Sequence, residues 1–171
     1  MLSKPIHGWT DFQLEGTGEW GLSYLTDIPF KWLDQAIHGL ETSSPFCVEA
    51  YLEPGRFLCL VSFWNCYVLC ENEEPQPSEE DNIQADVSPI NMLQFCKNLH
   101  KDISENIGDW VAFYEFSGQG PEERKAALDC KLARLQELIS EHEDGFSNSQ
   151  VTFTLGDEEN PLKVSIGDFL W

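Results

Sequence analysis

Hydrophobic residues near the start of the chain fall in short runs separated by turn-forming glycine and proline. This pattern predicts strands over residues 9–14 and 20–25, and another over 46–52. Within 46–52, large apolar residues alternate with other side chains, which is typical of a strand with one buried face. The residues Glu-Pro-Gly-Arg at 53–56 then predict a tight turn, because proline and glycine suit its central positions.

The longest apolar run extends almost unbroken from Phe57 to Cys70. Its alternation fades, which predicts two further strands, or one long strand bent near Trp64 and Asn65. Such strands would lie at the centre of a sheet and be covered on both faces. The run holds 14 residues, whereas a helix needs about 20 to cross a bilayer. We therefore predict no membrane-spanning segment.

Two segments in the middle of the chain repeat apolar residues at helical spacing. The first follows Asp27, which is placed to cap a helix, and has Pro29 in its first turn. The second follows Ser88, a candidate cap, and has Pro89 in its first turn. Residues 109–116, an aromatic and apolar run, predict a strand after this second helix.

The clearest helix is predicted to begin at Pro121 and to close at Gly145. Its apolar stripe repeats every three or four residues and consists of Leu128, Leu132, Leu135 and Ile139. A hairpin over 151–171 completes the chain. Hairpin-connected strands outnumber helices, which predicts an α+β fold: an antiparallel sheet of about six or seven strands on about three helices, forming one domain over residues 1–171.

Charge is the most unusual property of the composition. Thirty acidic residues against ten basic ones give a formal net charge of −20 at pH 7 and a pI near 4.2. This balance excludes neither folding nor solubility, but it argues against binding nucleic acid or an anionic membrane, which both require clustered Lys and Arg. It favours a basic protein partner, whose association would be accelerated by electrostatic steering.

Part of this charge lies in a long predicted loop over residues 71–87, which has seven acids and no base. Loops of this length in compact domains are often functional. We therefore take its acids as the candidate partner-binding residues. They are Glu71, Glu73, Glu74, Glu79, Glu80, Asp81 and Asp86.

Motifs for chemistry are weak throughout the sequence. Six cysteines lack the paired spacing of a zinc site, so we predict free thiols in the core of a cytoplasmic protein, although Cys66 and Cys70 are close enough in sequence for their pairing to stay open. The glycines at 16–21 match a dinucleotide motif formally but lack the required strand and helix context, which favours a turn. We predict no catalytic residue, cofactor or metal, and no enzymatic activity.

Residues 88–106, "SPINMLQFCKNLHKDISEN", are followed by "DWVAFYEF" at 109–116 and preceded by the acidic segment. In this arrangement and in its small α+β character the chain resembles the immunity proteins that protect bacteria from contact-dependent growth inhibition and related polymorphic toxins. The resemblance implies a cytoplasmic, non-enzymatic protein that neutralises a toxin, often a nuclease, by binding it. No binding residue is transferred by position.

Two other functions are compatible with the same composition. A nucleic-acid mimic that inhibits a DNA-binding enzyme would share the charge, but it would favour long acidic rows on helices, whereas the acids here are predicted mainly in loops. An acidic cytosolic adaptor would use its charge only for solubility and would show no basic partner.

Overall fold

The predicted apolar segments of residues 1–148 form two antiparallel sheets and four helices, and a third, two-stranded sheet lies near the end of the chain. The computed structural model of the chain describes residues 1–71, 83–114 and 118–148, together with two short strands at 153–155 and 162–164. Six strands and four helices pack together as one compact body, which confirms the α+β class. The strands are divided between sheets, and there are four helices where about three were predicted.

The main sheet has four strands in the order β3-β4-β5-β6, each antiparallel to its neighbour. These strands are β3 Phe46–Tyr51, β4 Arg56–Val61, β5 Cys66–Glu71 and β6 Ile83–Ser88. A separate hairpin precedes them and consists of β1 Trp9–Gln13 and β2 Glu19–Ser23. Near the end of the chain, β7 Phe153–Leu155 pairs with β8 Leu162–Val164, as the predicted hairpin requires.

The helices are α1 Ile28–Thr42, α2 Met92–Glu105, α3 Ile107–Phe113 and α4 Pro121–Asn148. Among the described residues, none of the helices is both long and apolar enough to cross a membrane. The predicted stripe of α4 is buried as expected. The helix continues beyond Gly145 because one glycine costs a helix only about 1 kcal/mol relative to alanine.

One face of the main sheet, which we call the inner face, packs on α1, α2 and the β1–β2 hairpin through an aromatic cluster. The Phe57 ring of β4 lies 4.8 Å from Phe12 of β1 and 6.0 Å from Trp32 of α1, centroid to centroid. The Phe46 ring of β3 lies 5.9 Å from Phe95 of α2. Offset and edge-to-face aromatic pairs of this kind add to the stabilisation from burial.

Helix α4 is joined to α1 by a buried ion pair. Arg124 is 3% exposed, and its two terminal nitrogens donate to the two carboxylate oxygens of Asp27 at 3.0 and 2.9 Å. The remaining Arg124 Nε donates to Val111 O at 3.1 Å. Asp27 therefore precedes α1 as predicted, but its side chain does not cap the helix, because the carboxylate is used by this arginine.

The strand predicted over residues 109–116 is wrong as far as the structure describes it. Residues 107–113 form α3, which follows α2 directly through Asn106, whose carbonyl accepts the amide hydrogens of Asp109 and Trp110 at 3.0 and 3.1 Å. Trp110 and Val111 are buried and Trp110 Nε1 donates to Asp102 O. An aromatic run is compatible with either structure, and packing on α2 and α4 decides for the helix.

The start of α2 also differs from the prediction. Neither Ser88 nor Pro89 belongs to the helix, because Ser88 is the last residue of β6. The cap is Asn91, whose Oδ1 accepts the Gln94 amide hydrogen at 2.8 Å. The predicted acidic loop over 71–87 is therefore too long. Its first residue ends β5 and residues 83–87 belong to β6, so only 72–82 remain, and these lie outside the described residues.

Candidate functional site

The second face of the main sheet, which we call the outer face, corrects the prediction that residues 57–70 are covered on both sides. In β4, Phe57, Cys59 and Val61 are buried while Leu58 and Leu60 between them are exposed. The same alternation continues in β5, where Tyr67 and Leu69 are exposed. In the part of the chain that the structure describes, helices and a hairpin cover the sheet on one side only, and the alternate residues of its strands meet solvent on the other.

Strand pairing arranges the outer face as three rows that cross the four strands. The rows are Cys47, Leu60, Tyr67 and Val87; Glu49, Leu58, Leu69 and Ala85; and Tyr51, Arg56, Glu71 and Ile83. Side chains directly opposite each other on neighbouring strands are in contact range. The outer face is thus one continuous surface, apolar in its first two rows apart from one glutamate and charged near the third.

Exposed large hydrophobic residues are concentrated here to an unusual degree. Twelve such residues occur in the part of the chain whose burial is described, and nine of them lie on the outer face or in the turn between β4 and β5. The nine are Tyr51, Leu58, Leu60, Phe63, Trp64, Tyr67, Leu69, Ile83 and Val87. Single exposed apolar residues need no explanation, whereas a contiguous group marks an interaction surface.

An aromatic pair forms one end of this surface. Phe63 and Trp64 occupy the turn between β4 and β5, which is closed by a hydrogen bond from Ser62 N to Asn65 O at 2.9 Å. The two rings meet edge to face with centroids 5.8 Å apart, and Trp64 is 62% exposed. Tryptophan and tyrosine are the residues most often found at energetic centres of protein interfaces, which makes this turn suited to binding.

The opposite end of the outer face is charged. Arg56 donates from Nε and Nη2 to Glu71 Oε1 at 3.0 and 2.7 Å. These hydrogen bonds lower the pKa of the Glu71 carboxyl below its usual value, so the group stays ionised further into the acidic range than a free glutamate. Lys31 of α1 forms a similar surface pair with Glu49 at 3.4 Å. A shallow depression of about 310 Å³ lies beside these groups and is lined in part by Tyr51, Leu58 and Leu69.

The structure describes two of the seven predicted partner-binding acids and does not bring those two together. Glu71 lies on the outer face. Asp86 belongs to the opposite face of β6, where its Oδ2 accepts the amide hydrogen of Gly18 at 2.9 Å. The other five lie outside the described residues and are Glu73, Glu74, Glu79, Glu80 and Asp81. Their role stays a prediction.

The apolar residues of the outer face were missed because the sequence of β4 and β5 contains almost no polar position to reveal the alternation. One signal was present. Arg56 is in phase with Leu58 and Leu60, and Glu71 is in phase with Tyr67 and Leu69. Because alternate residues of a strand share a face, these two terminal charges mark the phase that meets solvent.

Ion pairing leaves few positive charges available elsewhere on the molecule. Eight of the nine lysines and arginines within residues 1–71, 83–114 and 118–148 form an ion pair with an acid of the chain. Because the sequence has thirty acids against ten bases, most acids have no basic counterpart, and a partner approaching the surface meets a net negative potential.

Thiol chemistry is suppressed in the core. The six cysteines are free, which decides the question left open for Cys66 and Cys70. Burial raises the pKa of Cys70 to about 12 and also raises the pKa of Cys96, so both are protonated at neutral pH. Within the described residues, no group of three or more His, Cys, Asp or Glu side chains is arranged to hold a metal ion.

Comparison of the chain with known proteins adds no relative. Neither the family models, nor the curated proteins, nor the solved structures contain a match to it.

Proposed function

We propose that this protein is a non-catalytic immunity protein that acts in the cytoplasm and neutralises a basic toxin domain, in particular a nuclease, by binding it. The observation that carries the proposal is the exposed apolar outer face of the main sheet on a protein of net charge −20. A surface of this kind is costly to leave in water, and it is retained where a partner covers it.

The charge helps to distinguish between two kinds of partner. A second copy of the chain would bring another −20 against the first, and self-repulsion on this scale opposes association. A basic protein would instead be attracted over long range, with an association rate that falls as salt is added. The combination of apolar face and acidic surroundings therefore favours a different, basic protein.

The two kinds of residue have separate roles in this proposal. Trp64, Tyr67 and the leucines of β4 and β5 supply most of the affinity, because buried aromatic and aliphatic contacts dominate interfaces. Glu49, Glu71 and the acids between β5 and β6 supply rate and specificity, because exposed charges contribute little to affinity themselves. Covering the catalytic cleft of a nuclease, which must be basic to bind its substrate, would then block its activity.

The charge pattern of α4, the longest of the described helices, argues against the alternative of a nucleic-acid mimic. Its acids do not form an uninterrupted row, because they are interleaved with bases. Lys125 pairs with Asp129 and Arg134 pairs with Glu137 along the helix. Arg134 also pairs with Glu41 of α1, so these charges are used within the protein.

The proposal requires that the gene immediately upstream encode a large secreted protein with a basic C-terminal domain, and the test is direct binding of this chain to that domain. We expect a tight, salt-sensitive complex in titration calorimetry and loss of nuclease activity when the two are mixed. Replacing the outer-face residue Leu60→Lys should weaken binding at least about tenfold, because a lysine would be buried against a basic surface.

The matched control is Ile6→Lys, which makes the same charge change at an exposed aliphatic residue outside the outer face and should leave binding nearly unchanged. Equal losses for both variants would show that the outer face is not the interface. Absence of any complex with the wild-type chain would overturn the proposed function.

A further inference from the structure

Hydrogen bonding in the main sheet determines which backbone groups of β6 point away from it. At the β3–β4 turn, Leu52 N donates to Gly55 O, and at the β4–β5 turn Ser62 N donates to Asn65 O. In antiparallel pairs the hydrogen-bonded residues alternate, so these two bonds fix the phase of every strand. Carried across the register, they direct the backbone of Gln84, Asp86 and Ser88 toward β5. The N–H and C=O groups of Ile83, Ala85 and Val87 consequently point outward, beyond the edge of the sheet.

The two edge strands of the main sheet, β3 and β6, differ in whether their outward backbone groups are hydrogen-bonded. On β3, the outward carbonyl of Glu49 accepts a hydrogen bond from Trp32 Nε1 at 2.9 Å, so α1 occupies that edge. On β6, within the described residues, the outward backbone groups of Ile83, Ala85 and Val87 form no hydrogen bond. These are also the residues of β6 whose side chains lie on the outer face, where Ile83 and Val87 are more than half exposed.

The β6 edge lacks lysine, proline and bulges, three of the features that normally prevent strand addition, and its one charged residue, Asp86, accepts the Gly18 amide hydrogen on the inner face. Proteins protect open edges with lysine, proline, bulges or a covering element. Residues 83–88 contain neither lysine nor proline, and their pairing with β5 is regular. The β1–β2 turn approaches only one end of the edge: Gly16 has a φ of +80°, and a Cβ there would lie 3.6 Å from Val87 O. Within residues 1–71, 83–114 and 118–148, no other element pairs with this edge, which is therefore open at Ile83 and Ala85 and bounded at Val87.

We propose that the basic partner adds a β-strand to the edge of β6 and so extends the outer face across the interface. This inference rests on the proposed function and names its binding mode. Main-chain hydrogen bonds to Ile83 and Ala85 would fix the position of the added strand, and its alternate side chains would continue the two apolar rows, which end at Ala85 and Val87. Apolar residues at alternate positions, flanked by lysine or arginine, are the matching chemistry, because the connection between β5 and β6 carries five acids.

Proline at position 85 tests the edge separately from the face. Ala85→Pro removes one outward N–H and leaves the bonds to β5 intact, and proline is tolerated on an edge strand when its nitrogen faces solvent. Ala85→Val keeps the N–H and adds a side chain of similar size on the same face. With the upstream-encoded basic domain as the probe, we expect Ala85→Pro to bind about tenfold more weakly than Ala85→Val. Equal binding by the two variants would overturn strand addition. The outer-face proposal is tested separately, by the binding of Leu60→Lys.

Amide hydrogen exchange in the wild-type protein provides a second measurement that does not depend on the folding of a variant. The amides of Ile83, Ala85 and Val87 should exchange quickly in the free protein and slow down by at least about tenfold in the complex. Those of Gln84, Asp86 and Ser88 should be protected in both states. Unchanged exchange at 83 and 85 in a formed complex would overturn the proposal. So would protection that appears in the free protein as its concentration rises, because a second copy of the chain would then occupy the edge.

Discussion

The two faces of the main sheet are built from the same kinds of residue and have opposite surroundings. Phe57 and Leu58 are neighbours in β4, yet Phe57 is fully buried in the aromatic cluster and Leu58 is 38% exposed. Cys70 and Leu69 show the same contrast in β5. Hydrophobicity alone therefore does not determine which face of a strand is covered. What decides is whether another element of the chain packs on that face.

The largest expected difference between the faces is in stability. Phe57→Ala should cost about 3–5 kcal/mol of the free energy of unfolding, because it leaves a cavity among Phe12, Trp32 and Trp20. Leu58→Ala, one residue along the same strand, should cost less than about 1 kcal/mol, because little of its contact area is in the core. Urea denaturation of the two variants measures both values.

If Leu58→Ala lowered the free energy of unfolding as much as Phe57→Ala does, the two faces would not differ in burial, and the outer face would be part of a second core. The same two variants should reverse their order in binding. Leu58→Ala weakens the complex with the basic domain by removing a contact at the interface. The folded molecules of Phe57→Ala keep an intact outer face and should bind the basic domain as the wild type does.

Prediction from the sequence fails where tertiary packing alone determines whether a segment forms a helix or a strand, or which of its faces is covered. Strands β1 to β5 and helices α1, α2 and α4 follow from turn residues and apolar spacing, which are local properties. Residues 109–113 have an apolar pattern compatible with a strand or a helix. Their contacts with α2 and α4 favour the helix, and the pattern does not predict those contacts. The outer face was hidden for the same reason, because an unbroken apolar run such as 57–61 does not reveal whether one face or both are covered. Strand β6 was missed because Gln84 and Asp86 made it look like part of the acidic loop.

Acidic residues should affect how fast the partner arrives more than how tightly it stays bound. Changing Glu73, Glu74, Glu79, Glu80 and Asp81 to their amides should slow association about tenfold and flatten its dependence on salt, with little change in dissociation. Stopped-flow measurements at several salt concentrations separate the two rates. Unchanged association and salt dependence would show that this segment does not steer the partner.

The matched control for that experiment removes five charges from helices instead. These residues are Glu105, Glu122, Glu123, Glu137 and Glu141. Because the change in net charge is identical, an equal effect of both variants would assign steering to the total charge of the molecule and not to the segment between β5 and β6.

The smallest expected effect is on a single thiol, and it shows how far the partner extends across the outer face. Cys47 lies on the outer face of β3, the edge strand opposite β6, and is half-buried. Burial, with a smaller contribution from the Glu49 carboxylate, raises the pKa of its thiol. Iodoacetamide should therefore label Cys47 slowly, at a rate that increases with pH, and should label the exposed Cys130 faster.

Partner binding should slow the labelling of Cys47 and leave that of Cys130 unchanged, as mass spectrometry of the two peptides at pH 8 would report. The cysteines of the inner face provide the contrast, because Cys59 and Cys70 should react only after the protein unfolds. Protection of the β6 amides without protection of Cys47 would confine the interface to the β5–β6 side. Protection of both would require a partner that covers the whole outer face, so the exposed leucines of β4 would be buried in the complex as fully as Phe57 is in the free protein.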